Sequence, residues 1–227
     1  MPNRWPCLQT GVGIDKTDLS VYVRVMSEPL PVGGAKQKIL QVASDLFYAH
    51  GVRAVGVDRL IAASGVAKAS FYRHFPAKDD LVVAFLQRRD QLWRDWLEDA
   101  VVRLSPDPSG RPLAIFHALF ERFSTGDFRG CAFINSIVEL ADRDHAAHHA
   151  ADAHKRAVIA LVDRLLQAAG HAGPDLARSF VMLMDGAIVT AVREGDPGAA
   201  LRAKAIAALM LEDAAATAGS TPSGIHR

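Results

Sequence analysis

Lys68, Ser70, Arg73 and His74 fall within seven consecutive positions of the stretch GVAKASFYRHFPAKDDL (65–81), interleaved with the rings of Phe71, Tyr72 and Phe75. Lysine and arginine donate to phosphate oxygens or to the acceptor edges of guanine, serine donates or accepts, and the methyl of Ala69 can meet a thymine methyl. The Tyr72 hydroxyl and the His74 imidazole suit a sugar-phosphate backbone, and Phe71 and Phe75 suit a core beneath. The same residues also suit a short solvated helix with ordinary surface charges. Spacing alone does not separate the two readings.

Other residue sets could also do chemistry. His145, His148, His149 and Asp152 stand at i, i+3, i+4 and i+7, a spacing that can ligate a divalent metal from one helical face. The stripe Val158, Leu161, Val162, Leu165 and Leu166 fixes the buried side of that helix, and at about 100° per residue His145, His149 and Asp152 project away from it. That orientation favours a hydrated polar face over a metal site. His154 falls inside the stripe, as a hydrogen-bonded core histidine or a polar anchor in a cavity. Trp93, Trp96, Phe116, Phe120, Phe123 and Phe133 bring large rings together with His117 and Asn135, a lining that suits a small molecule of low polarity. Trp96, Phe116, His117, Phe120, Phe133, Asn135 and His154 are the candidate ligand contacts, against the alternative of a plain aromatic core. Cys131 follows Gly130 near a helix start, where a thiol pKa can fall. A structural role for it competes with redox or electrophile sensing.

The elements that must position these groups are helical. At 227 residues and 50% hydrophobic, the chain can bury a core of domain size. No uncharged apolar run approaches the roughly 18 residues needed to cross a bilayer. With only Cys7 and Cys131, a disulfide scaffold is not expected, and a reducing cytoplasm is the natural compartment. Residues 1–33, rich in proline and glycine, read as a disordered extension, with Met26 an alternative start. Apolar periodicity and breakers predict helices over 36–50, 57–64, 68–74, 78–104, 112–124, 131–142, 144–170, 175–194 and 198–216, and a frayed tail over 217–227. No strand pattern of comparable strength appears, so the fold class is all-α. Three short helices with a glycine turn between the second and third make a helix-turn-helix over 34–80. A larger helical domain follows over 81–216.

Charge divides along the same line. Residues 34–80 hold seven Lys or Arg against four Asp, whereas 81–227 hold sixteen against eighteen Asp or Glu. A cationic module on a near-neutral body points to a polyanionic partner at one end. Nucleophile elbow, phosphate loop, dinucleotide fingerprint and zinc-protease motif are all missing, which argues against an enzyme.

The run from Lys36 to about Leu81, with Gly51, VDRLIAASGVAKASFYRHFPAKDDL and its Tyr-x-His-Phe ending at Phe75, resembles the N-terminal domain of the TetR family of bacterial transcriptional regulators. The resemblance implies a repressor released from a palindromic DNA operator by a small-molecule effector, acting as a homodimer without bound cofactor. It implies that Lys68, Ala69, Ser70 and Tyr72 face bases, and that Arg73, His74 and Lys78 face the DNA backbone. A metal- or redox-responsive sensor is the alternative. The last two helices would pair with their twins through residues such as Phe180, Leu183, Met184, Ala187, Ile188, Ala191, Leu201, Ala205, Ala208 and Leu209. Gly56, Ala67 and Ala77 depart from the family pattern, because none carries the side-chain cap common there. Each missing cap costs about 1 kcal/mol.

Overall fold

A computed structural model describes residues 34–171 and 173–219. The predicted N-terminal extension and the last eight positions of the predicted tail lie outside them. The described residues form nine α-helices and one 3-10 turn, with no strand. They are α1 Ala35–His50, α2 Val57–Ser64, α3 Lys68–His74, α4 Lys78–Leu104, α5 Arg111–Phe123, α6 Ala132–Leu140, α7 Ala146–Ala168, α8 Pro174–Glu194 and α9 Ala199–Gly219. The 3-10 turn, Pro108–Gly110, occupies the predicted Pro-Gly break before α5.

Helix ends differ from the sequence expectation where a cap decides them. Cys131 is extended and serves as the N-cap of α6, and Ala141 ends that helix in the left-handed region at φ 53°. His145 caps α7, its Nδ1 accepting the Ala147 N–H at 3.1 Å. α9 runs on to Gly219, past the expected end at Ala216. Gly56, Ala67 and Ala77 indeed make no side-chain cap bond. At α4 the loss is partly offset, because the Asp80 carboxylate accepts the Ala77 N–H at 2.9 Å.

Packing divides into two buried clusters. In the first, Ile39, Ala43 and Phe47 of α1 meet Leu60, Phe71 and Phe75 of the helix-turn-helix. Phe71 is fully buried, and burying a phenyl side chain contributes about 1.5–3 kcal/mol. This cluster does not stop at residue 80. It continues through Leu81, Val82, Phe85 and Leu86 of α4 and takes in Phe133 of α6 and Ala147 and Ala151 of α7. The second cluster joins the remainder of α4 to α5, α7, α8 and α9, with Phe116, Leu119, Leu161 and Phe180 at its centre.

The face that α8 leaves open is not the expected one, whereas on α9 the expected Leu201, Ala205 and Leu209 are exposed. Phe180, Met184, Ala187, Ile188 and Ala191 are buried in their own chain. The large apolar residues exposed on these helices are Met182, Val189, Val192, Leu201, Ile206 and Leu209, with Met182 at 70% and Leu209 at 65%. Both faces of α8 are apolar, so a single hydrophobic period could not tell the inward one from the outward one. Among the described residues, no helix is long and apolar enough to cross a membrane.

Candidate nucleic-acid interface and internal cavity

The glycine turn between α2 and α3 sets the interface. Gly65 sits in the left-handed region at φ 64°, with its N–H donating to Ile61 O at 3.1 Å, and from there the chain enters α3. With Phe71 and Phe75 buried beneath, helical geometry turns Lys68, Ala69, Tyr72 and Arg73 outward, and all four are exposed. Ser70 is half-buried and accepts a hydrogen bond from Arg73 Nη2 at 3.0 Å. Tyr72 meets the edge of Phe71, with ring centroids 5.5 Å apart. His74 is half-buried. Lys78 stands apart from the others. It is also half-buried, with Nζ 6.0 Å from the centre of the Phe47 ring, and burial depresses its pKa despite the opposing pull of Asp79 and Glu139.

A small, partly open cavity lies between α4, α5, α6, α7 and α8 and reaches the end of α1. Its apolar walls include Trp93, Leu119, Phe123, Phe128, Phe133, Val158, Met184 and Ile188, and its polar lining is Tyr48, Arg89, Arg122, Cys131, His154, Lys155 and Asp185. Of the sequence candidates, this space brings together Phe133 and His154. It does not include the other five. Phe116 is wholly buried against Phe180, with ring centroids 5.8 Å apart, and Trp96 packs in the second cluster beside Trp93. Phe120 packs against that same cluster. His117 Nε2 lies 2.9 Å from Lys204 Nζ of α9; burial first and the lysine second depress its pKa, so the neutral ring accepts from the ammonium. Asn135 is exposed and donates to Arg129 O at 3.0 Å. A ring on the inner face of a helix fills core as readily as it lines space, and a count of rings does not tell the two apart.

His154 is held on three sides. It stacks on Phe133 at 3.6 Å between centroids, meets the edge of Trp93, and its Nδ1 lies 2.7 Å from Asp90 Oδ1. Burial pushes its pKa down to about 4 even though the bond to Asp90 works the other way. Asp90 stays ionised because hydrogen bonds from Arg94 and His154 outweigh its own desolvation. The pair therefore consists of a carboxylate and a neutral imidazole whose Nδ1–H donates. The other histidines do not form a centre. His145 is not turned to solvent as its spacing implied, because its Nε2 meets Asp79 Oδ2 at 3.2 Å. Asp152 pairs with Arg156. Among the described residues, no group of three or more His, Cys, Asp or Glu comes together to hold a metal ion. Cys131 is a free, half-buried thiol on the cavity wall.

Two joints tie the helix-turn-helix to the helices that follow it, one of them at the cavity wall, and sequence reading missed both. The Tyr48 hydroxyl, on the last turn of α1, donates to Gly130 O at 3.2 Å and accepts from Arg122 Nη2 at 2.8 Å and from the Arg129 N–H at 3.0 Å. Arg122 is only 3% exposed; its guanidinium also donates to Thr125 Oγ1 and forms a salt bridge with Asp127 at 3.0 Å. One buried arginine thus shapes the α5–α6 loop and fastens it to α1. A visible signal existed, since Arg122 falls on the inner stripe of α5 with Leu119 and Phe123. In the second joint, Glu139 near the end of α6 accepts the Arg53 N–H at 2.8 Å, and a Cβ at Gly51 would lie 2.7 Å from the Glu139 carboxylate. Gly51, at φ 88°, is thus needed for its conformation and for that close approach.

Comparison with known proteins agrees with this architecture. Residues 39–85 match the family model for bacterial regulatory proteins of the tetR family. The chain is 26% identical over 133 residues to the transcriptional repressor NemR of Escherichia coli, spanning 58% of this chain and 67% of that one. Its fold matches the crystal structure of a TetR-family transcriptional regulator from Streptomyces coelicolor at TM-score 0.70 and 34% identity, over 79% of this chain and 95% of the other. A putative regulator of the same family from Streptomyces avermitilis matches at TM-score 0.70 and 28% identity, over 81% and 99%. The relatives are transcription regulators, and the likeness runs through the cavity-bearing helices as well as the helix-turn-helix. With its exposed α3 face and its helical body jointed at Tyr48 and Glu139, the chain belongs to the TetR family and is a DNA-binding transcriptional regulator.

Proposed function

We propose that the protein is a homodimeric, cytoplasmic repressor that leaves a palindromic operator when a small molecule enters the cavity. The observation that carries this reading is the Tyr48 joint, in which a residue of the DNA-binding part is bonded to Arg122 of α5 and to Arg129 and Gly130 of the α5–α6 loop. A ligand biases a two-state regulator only through its differential affinity for the two states. Occupancy that moves the loop also moves α1. In this reading residues 34–80 bind DNA and 81–216 bind effector and partner, with no catalytic role. Lys68, Ala69, Ser70 and Tyr72 read bases, and Arg73 and His74 hold the DNA backbone. Lys78, drawn over Phe47, contributes less than a free lysine.

The exposed stripe of Met182, Val189, Ile206 and Leu209 is where a second copy packs, because contiguous apolar surface on two neighbouring helices marks an association face. Two recognition helices then stand about one DNA turn apart, roughly 34 to 36 Å, or further. Selection of bound sites from random DNA tests the reading and should return an inverted repeat. Against that site Lys68→Ala should cost about 1–3 kcal/mol and relax the sequence preference. Binding that is equally tight and equally selective after the substitution would show that α3 is not the reading helix.

A further inference from the structure

We propose that the effector is an anion, with an apolar body filling the cavity and one carboxylate held by the Arg89 guanidinium. The inference rests on the cavity being the effector site. Three side-chain cations line it, and two are neutralised within the chain, Arg122 by Asp127 and Lys155 by Asp185. Arg89 is the exception. It is half-buried on α4 with its guanidinium carbon 3.6 Å from the centre of the Tyr48 ring, and among the described residues it has no carboxylate and no hydrogen-bond acceptor. A guanidinium stacked on a ring keeps its N–H groups directed outward in its own plane, and that fork matches the two oxygens of a carboxylate.

Nothing else on the lining answers this charge. Asp185 is the one carboxylate there and is engaged by Lys155, and His154 is neutral with its Nδ1–H given to Asp90. An uncharged ligand entering among Phe123, Phe128, Phe133 and Met184 would strip water from Arg89 and return nothing, a penalty that an anionic ligand removes. An amine would meet like charge. The place of contact also suits a regulator, because Arg89 lies on the face of the residue whose hydroxyl fastens α1 to the cavity loop.

Calorimetry on the intact chain with three probes sharing one body, phenylbutyrate, phenylbutanol and phenylbutylamine, tests the proposal. The acid should bind about tenfold or more tightly than the alcohol, and the amine weakest. Arg89→Gln should bring acid and alcohol to within about twofold, whereas Arg89→Lys, which keeps the charge without the fork, should retain part of the preference. Filling the cavity with Val158→Phe or, separately, Ile188→Phe should weaken all three. Equal binding of acid and alcohol by the unaltered chain overturns the anion, while the cavity reading survives if the filling variants weaken the alcohol. A preference for acid that persists in both Arg89 variants overturns Arg89 as the anchor. Binding of no probe, or binding indifferent to both filling variants, overturns the cavity reading itself.

Discussion

The α3 face and the cavity wall both carry cations, and they treat them in opposite ways. Lys68 and Arg73 are exposed, and among the described residues their only hydrogen bond or ion pair is that of Arg73 to Ser70. Arg122 and Lys155 in the cavity are each tied to a carboxylate. A surface that meets a polyanion keeps its charges solvated and unspent, and loses counterions when it binds. A cavity cannot leave a charge unpaired without a desolvation cost. Positive charge therefore reads as recognition on α3 and as architecture in most of the cavity.

Removing one charge of each kind should separate these roles most sharply. Arg122→Ala removes a buried side chain and leaves the Tyr48 hydroxyl and Thr125 Oγ1 without its donors, and should destabilise the fold by about 2–4 kcal/mol. Thermal denaturation should show a fall on the order of 10 °C. Arg73→Ala, an exposed change, should stay within about 0.5 kcal/mol of the parent in the same scan while weakening DNA binding. A melting temperature unmoved by Arg122→Ala would erase the distinction.

A smaller effect is expected at the joint between the two regions. Tyr48→Phe removes a hydroxyl that donates once and accepts twice, at a cost of about 1–3 kcal/mol. Because the bonds join α1 to the cavity loop, the variant should change ligand-free operator affinity as well as stability. Fluorescence anisotropy with a selected operator reads this directly. An operator affinity identical to the parent's would mean that the bonds hold the fold without transmitting anything.

The smallest predicted effect is one of pH. The folded pKa of His154, at about 4, lies below the unfolded value near 6.5, so the unfolded chain binds the extra proton between those limits. Stability therefore falls as pH drops through that window, by about 1 kcal/mol between pH 7 and 5.5, and Asp90, held below the usual carboxylate range, adds a further loss at lower pH. His154→Gln should flatten the upper part of the profile. A profile with unchanged slope in that variant would place the titration elsewhere.

The two regions were also unequally legible in the sequence. The α3 face is local: glycine turn, buried rings and outward cations lie within one short stretch, where the 3.6-residue period settles which side each residue takes. The cavity is assembled from helices far apart in sequence, and its polar groups are recognisable only by what they meet. Tyr48 carries no signal of its own in the sequence, although its hydroxyl joins a loop 82 residues away. Phe116 and Phe120 read as lining because they are aromatic, yet they fill the core. The inward position of Arg122 and the unshielded position of Arg89 are properties of contacts, which periodicity does not carry.

The first buried cluster ignores the boundary that the sequence motif draws, and this bears on how such a protein diversifies. Leu81, Val82, Phe85 and Leu86 extend the helix-turn-helix core into α4, and Phe133, Ala147 and Ala151 close it from α6 and α7. A recombination that joined residues 34–80 to another regulator's body would expose that underside unless the new body offered a matching surface. Change of DNA target in this lineage is thus easier by exchange of single α3 side chains than by shuffling whole modules, and a chimaera should inherit its solubility from the fit beneath α4 rather than from either parent alone.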